Sequence, residues 1–500
     1  MNRVRRLTDN LWGPLGSILL HAALILLLVR FIHERERIQP DTVTIRMEPL
    51  QELPEIVEII GELDLQTDIP NPVPAVRPPP VARDLDPPRI EGPAINAGDP
   101  AELDANAILN SAGPPVPGLL SGRHGPGRQD LLAEFSDGLG DQTEAAVLRA
   151  LDWLRDHRNP DGSWGPRYRV AMTGLALLSF LAHGETTGSD TYGESIADGL
   201  RFLLRSQRDG VFVGGGPRWN SRMAPEQIQS YEHAIATYAM SEAFALTGIP
   251  FLKAPMEDAV QIILEGQHAA GSWDYGYRHG PDAHLDVSLA GWHIQALKAA
   301  REAGARNRGL DTAIESAVRG LHDAVSPENP GLFQYGSRLR AEDSDTTMTG
   351  VAVLCLQLTG RALDAPARAG MRTLRELRFR WTRSDRHAPG LDKRAVGDWP
   401  LYAWYYITQA RFQHGGKAWV SWNRDFATGL CRMQNPDGSW CPAPDSAEAR
   451  FGPVYSTALS TLMLEVYYRI LPTYKEIEVS EAPQPTGEDD SFIIVLGEQA

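Results

Sequence analysis

Four carboxylates recur in one register of this 500-residue chain. Glu232, Asp286, Asp345 and Asp398 each stand five residues before a small or hydroxyl residue, namely Thr237, Gly291, Gly350 and Ala403. Arg169 and Tyr455 occupy the same register in two further segments. Carboxylates gathered at one opening disfavour each other's ionisation, and an acid kept protonated in this way can deliver a proton. The same residues also read as helix N-caps, because an Asp there accepts hydrogen bonds from orphan amides and complements the helix dipole. Asp286-Val-Ser-Leu and Asp345-Thr-Thr-Met fit that second reading, and both remain open. His233 and His293 are candidate binding or acid/base groups as well as candidate structural histidines. Trp292, Trp399, Trp404 and Tyr405 would suit the wall of a cavity facing a polyprenyl chain or a sugar, or plain core packing.

The elements that must position these residues repeat along the chain. Six times between residues 144 and 471 an amphipathic helix leads through a turn into a helix apolar nearly all round. The expected outer helices are Glu144–Arg155, Glu194–Arg205, Met256–Glu265, Leu310–Val325, Ala365–Phe379 and Trp422–Met433. The expected inner helices are Ala171–His183, His233–Leu246, Val287–Ala303, Thr346–Leu358, Trp399–Gln413 and Ser456–Ile470. A lone hairpin cannot bury its own apolar face, so a stacked or closed array is required. Inner helices that all run the same way close into an (α/α)6 toroid, an all-α fold, over residues 140–472. Its inner amino ends would ring one mouth, with Glu232, His233, Asp286, Trp292, Asp398 and Tyr455 as candidate rim or ligand-binding residues.

The connecting turns carry a motif. Gln-x-x-x-Gly-x-Trp is complete at Gln267/Gly271/Trp273 and Gln434/Gly438/Trp440, and Arg158/Gly162/Trp164 is a near match. Gln207/Gly210/Phe212 is one residue short, and the fourth and fifth turns are degenerate. The motif resembles the repeat of the prenyltransferase and squalene-cyclase superfamily. The resemblance implies an α/α toroid in which Trp164, Gln267, Trp273, Gln434 and Trp440 are structural staples. Asp343-Ser-Asp345-Thr346-Thr347 in turn resembles the Asp-x-Asp-Asp-Thr motif of class II terpene cyclases, with Thr346 standing where the family has its last Asp. That resemblance implies Asp345 as the proton donor and Asp343 as its leading partner. No Asp-x-Cys pair with a downstream His lies on the inner helices, so neither a catalytic zinc nor another cofactor is expected.

The first quarter of the chain has a different composition. Trp12 to Val29 is an apolar run behind Arg3, Arg5 and Arg6, which reads as one transmembrane helix over about residues 12–31 of an anchor spanning 1–37. The expected location is a single-pass inner membrane with a cytoplasmic N-terminus and a periplasmic toroid. Sixteen of the 37 prolines fall between Pro40 and Pro117, so residues 38–126 read as an extended linker with a reach of up to roughly 270 Å. Ser17 and His21 share one face of the anchor, where an ionisable group usually meets a protein partner or a proton path. Together with the proline-rich stretch, this resembles the start of TonB-type energy transducers and implies docking on a proton-driven ExbB/ExbD-type complex. A plain signal anchor is the alternative. Residues 473–500 form an acidic tail. A net charge of −16 argues against a nucleic-acid partner.

Two functional expectations follow. The first is a membrane-anchored toroid that binds a partner or ligand in a central cavity, with its anchor docked on the proton-driven complex. The second is an enzyme acting on an isoprenoid lipid or a glycan, with Asp345 as general acid.

Overall fold

The computed structural model describes residues 121–123, 125–213, 229–280, 283, 286–336, 344–383, 389–391, 397–442 and 446–469. The chain divides into two units, Met1–Arg89 and Ile90–Ala500, and every described residue belongs to the second. The expected anchor with Ser17 and His21, most of the linker, Asp343 and the acidic tail lie outside the described residues. Among the described residues no helix is long and apolar enough to cross a membrane.

Thirteen α-helices are described. The first, α1 (Gly125–Phe135), follows a 3-10 turn at Ser121–Arg123. The outer helices are α2 (Gly140–Asp156), α4 (Gly193–Ser206), α6 (Lys253–Glu265), α8 (Leu310–Asp323), α10 (Ala365–Arg375) and α12 (Gly416–Met433). The inner helices are α3 (Arg169–Ala182), α5 (Gln229–Thr247), α7 (Val287–Glu302), α9 (Thr346–Leu358), α11 (Pro400–His414) and α13 (Gly452–Leu464). Each inner helix packs on the next, and α13 returns to α3, so the six close a ring. Every outer helix but α4, which packs on α3, sits between two inner ones; α2, the first, lies between α13, the last, and α3.

Burial follows this layering. In α3 every residue from Val170 to Ala182 is buried, whereas α2 buries Thr143, Ala146, Val147, Ala150, Leu151, Trp153 and Leu154 along one stripe. A helix walled on all sides needs apolar or small residues all round, and an outer helix needs only a stripe. Gly174, Gly291 and Gly350 mark the tightest inner contacts: a Cβ on Gly291 would lie 2.6 Å from Val351 and one on Gly350 2.7 Å from Ile407. The helix positions expected from periodicity match within four residues, except that α12 starts at Gly416 instead of Trp422 and α13 ends at Leu464 instead of Ile470.

The turn motif builds the outer seam. The indole Nε1–H of Trp164, Trp273 and Trp440 donates to the carbonyls of Leu154, Ile263 and Leu430 at 2.7, 2.9 and 2.9 Å. Each bond caps the end of the preceding outer helix. The glutamine amide then reaches forward to the next outer helix. Gln207 donates to Pro255 O at 2.8 Å, Gln267 to Ala313 O at 2.9 Å, and Gln434 to Ala146 O at 2.8 Å. The last of these joins the sixth turn to the first outer helix and so fastens the ring shut. Gly271 has φ +86°, and a Cβ there would fall 2.0 Å from Ser316 O; Gly438 repeats this with φ +94° and 2.2 Å to Arg149 O. Only glycine satisfies both the left-handed backbone and the close approach.

The fourth turn, degenerate in sequence, keeps the architecture by other means. Phe333 takes the indole's place, and its N–H donates to Thr349 Oγ1 at 3.1 Å, as Trp164 N–H does to Thr173 Oγ1. A two-stranded ribbon, β1 (Phe333–Gln334) with β2 (Ser344–Asp345), leads into α9. Described elements begin at Ser121, inside the stretch expected as linker (38–126) and ahead of residue 140, the expected start of the toroid. Arg123 is wholly buried, and the peptide oxygens of Phe135 and Ser136 accept bonds from Trp419 and Asn423 of α12.

Candidate functional site at the amino rim

Contacts between the starts of the inner helices place all six on one rim. The Glu232 carboxylate, in the first turn of α5, accepts from Ala171 N–H at the start of α3 at 3.3 Å. Tyr231 is hydrogen-bonded to Ser288 of α7. Val287 N–H donates to Tyr335 O, next to the ribbon that enters α9. Tyr402 of α11 donates to Ser288 O at 2.9 Å, and Tyr168 before α3 meets Phe451 before α13 edge to face at 5.5 Å.

The carboxylates do different work around this rim. Asp286 is the N-cap of α7: its Oδ1 accepts from Ser288 N–H at 2.6 Å, Leu289 N–H at 3.3 Å and Ser288 Oγ–H at 2.5 Å. Its Oδ2 accepts from the Tyr275 hydroxyl, which is bonded in turn to the Tyr335 hydroxyl. Asp286 is therefore saturated and 1% exposed. Asp345 is the N-cap of α9, accepting from Met348 N–H at 2.7 Å. Its carboxyl is raised from the ordinary aspartate range by the surrounding protein, against the lowering effect of the Met348 and Thr347 amides. The residue itself is exposed.

Glu232 is buried, and desolvation lifts its carboxyl to about 7 despite the backbone amides of Ala171 and Val170. A fifth carboxylate, Glu448, was not apparent in the sequence. It lies in a 3-10 turn (Ala447–Phe451) before α13 and accepts from Leu401 N–H at 2.9 Å and Tyr402 N–H at 2.8 Å, capping α11 from outside. Tyr455 donates to it at 3.1 Å, and burial raises its carboxyl to about 7. Glu448 precedes α13, yet it serves α11, so no spacing within one segment could have flagged it.

Asp398, by contrast, does not stand at the N-cap position of α11. Trp399 is the residue before that helix, and Asp398 is exposed, with its peptide oxygen accepting from Ala447 N–H. Pro400 at the first helical position lacks an N–H, which removes one amide that an Asp cap would serve.

His233 and His293 are not rim groups. His233 Nδ1 accepts from Phe212 N–H at 3.1 Å while Nε2 donates to Ala259 O at 2.9 Å, so it staples the second turn as threonines do elsewhere. His293 donates from Nδ1 to Leu289 O at 2.7 Å, accepts from the Tyr277 hydroxyl at 3.0 Å, and stacks on Trp273 at 4.6 Å. Burial pushes their values down to about 4 and about 3, so both are neutral and fully engaged.

The axis below the rim is filled. Trp292 is 2% exposed and stacks on Tyr405 at 5.4 Å, so it packs the ring instead of lining an open space. Tyr405 donates to Gln295 Oε1 at 3.0 Å, and Gln295 donates to the Tyr406 hydroxyl at 3.0 Å. Arg469 donates to the hydroxyls of Tyr238 at 2.7 Å and Tyr405 at 3.2 Å. The accessible aromatic surface lies above, where Trp399 is 36% exposed beside Phe451 at 5.9 Å and under the Arg450 guanidinium at 5.0 Å. Among the described residues no group of His, Cys, Asp and Glu is arranged to hold a metal, and Cys355, Cys431 and Cys441 are all free thiols.

Neither a protein-family profile nor a curated protein sequence matches this chain. Solved structures of α/α-toroid proteins are similar to it at low identity. An inactive variant of an α-1,6-mannanase from a Salegentibacter species, in complex with α-1,6-mannotriose, is 13% identical, with a TM-score of 0.46 over 66% of this chain and 99% of that one. A glycoside hydrolase family 76 mannosidase of Bacteroides thetaiotaomicron is 10% identical, with a TM-score of 0.44 over 66% and 97%. A type II terpene cyclase from Scytonema bound to merosterolic acid A is 14% identical, with a TM-score of 0.41 over 67% and 98%.

Proposed function

We propose that the ring binds a polyhydroxylated ligand, a glycan, on its amino rim, as the outer domain of a chain tethered to a membrane through residues 12–31. One observation carries this reading: the rim interleaves hydroxyls and carboxylates with an accessible aromatic face, above an axis closed by packed side chains. Tyr168, Trp399 and Phe451 offer flat apolar surface, while Asp345 offers acceptor oxygen. Sugars present C–H faces to aromatics and hydroxyls to such acceptors, whereas a polyprenyl chain needs a deep apolar tunnel. The test is titration of the full chain with a panel of neutral oligosaccharides, followed by tryptophan fluorescence. Trp399→Ala should weaken binding about tenfold, the loss of roughly 1.4 kcal/mol of stacking. Binding only to geranylgeranyl-bearing micelles, or glycan binding unchanged by Trp399→Ala, would overturn the reading.

The second reading is an enzyme on an isoprenoid or glycan with Asp345 as proton donor. It is favoured by the combination at Asp345 of exposure and a carboxyl raised above its ordinary range. Asp345→Asn should then abolish turnover while leaving the melting temperature nearly unchanged. In either reading the anchor would dock through Ser17 and His21 on an ExbB/ExbD-type complex, and His21→Ala should abolish activity in cells while leaving ligand binding by the purified chain intact.

A further inference from the structure

The end of the ring opposite the rim is closed by chain from outside the six hairpins. Arg123 enters there wholly buried, donating to Leu181 O at the end of α3 at 3.0 Å, pairing with Glu242 of α5 at 2.8 Å, and reaching Arg469 O at 3.4 Å. Arg128, one turn into α1, donates to His183 O at 2.6 Å and pairs with Glu144 at 3.3 Å. α1 adds a narrow apolar contact to these polar ones: Leu132 is buried, and Leu131 and Phe135 are half-buried against the core, with Phe135 edge-on to Phe412 at 5.5 Å. The inner helices are held quite differently, with nearly every residue of α7 buried.

The closed end is also poorly satisfied. Arg123 Nε, Glu242 Oε1, both carboxyl oxygens of Glu465 and Arg469 Nη1 are buried without a hydrogen-bond partner. Orphaned polar atoms oppose the closed arrangement, and each would regain hydrogen bonds once water entered. Removing one partner of a buried ion pair is costly only while the other stays dry, and opening this end would wet Glu242 and Arg469 together.

We propose that the 3-10 turn Ser121–Arg123 and α1 are a releasable plug, seated on the carboxyl end of the ring by Arg123 and able to leave while the six hairpins stay folded. Released, the plug exposes Glu242, Glu465 and Arg469 at the foot of the axis. The hydrogen bonds from Arg469 through Tyr405 and Gln295 to Tyr406 lead from there toward the rim.

Native-state hydrogen exchange on the full chain tests this. Amides of 126–135 should exchange about 100-fold faster than those of α7, through an opening less dependent on denaturant than global unfolding, because only the one side of α1 that faces the ring is uncovered. Arg123→Met should speed exchange of that segment about tenfold further and leave α7 unchanged. Exchange of 126–135 and α7 in one global step would overturn the proposal, as would equal acceleration of both by Arg123→Met. The first measurement uses the unaltered chain, so it decides the matter even if the variant fails to fold.

Discussion

The two halves of the amino rim hold their helix starts in different ways. On one side, α7 and α9 are capped by their own aspartates, Asp286 and Asp345. On the other, α3 and α11 are capped by glutamates from elsewhere, Glu232 of α5 and Glu448 ahead of α13. A self-cap satisfies amides within one helix and says nothing about its neighbour. A cross-cap ties two segments together, so helix termination and ring closure become one interaction. Its cost is burial: both glutamates sit in the packed seam with carboxyls lifted to about 7, whereas Asp345 stays exposed.

Removing a cross-cap should have the largest effect. Glu448→Leu would leave the amides of Leu401 and Tyr402 and the Tyr455 hydroxyl unsatisfied in a dry seam, at about 1–3 kcal/mol for each orphan. Chemical denaturation should show a loss of about 4 kcal/mol; a loss under 1 kcal/mol would mean that the seam tolerates water and that cross-caps are no different from self-caps.

The pH dependence should be next in size. A carboxyl at about 7 in the folded ring and near 4.5 unfolded holds its proton more tightly when folded. Stability is therefore greatest below pH 4.5 for these two groups and falls as pH rises through 7, by up to about 3 kcal/mol for each. Replacing both by glutamine should flatten the stability profile between pH 5 and about 7. An unchanged slope would assign the dependence to other groups.

The self-caps should separate from each other as well. Asp286→Ala breaks bonds to two amides, Ser288 and Tyr275, and should cost about 2 kcal/mol. Asp345→Ala removes an exposed cap and should cost about 1 kcal/mol. Equal losses would show that the Tyr275 and Ser288 contacts add nothing to the cap. The rank order from Glu448 to Asp345 is the comparison in its sharpest form.

Legibility differed between the fold and the site for a physical reason. The helices, their all-round or striped burial and the Gln-Gly-Trp turns were readable because periodicity and φ > 0 glycines are local properties. Asp286 and Asp345 were readable as caps for the same reason. Asp398 occupies the same spacing, but Trp399 takes the N-cap position there and Pro400 removes an amide from the helix start. His233 and Trp292, expected at the rim, are buried among their neighbours, because spacing gives a residue's height along its helix and not which way its side chain leans. Glu448, Arg123 and the tyrosines around Asp286 gave no local signal, since each acts on a segment remote in sequence.

From the chain by itself, then, came the count of hairpins, their inner and outer roles and the staples between them, all set by interactions within a few tens of residues. Folding in three dimensions alone decided which carboxylates are buried, that the axis is filled, and that Arg123 closes one end. Those outcomes depend on which side chains meet once the sixth hairpin returns to the first, and that meeting joins residues separated by hundreds of positions.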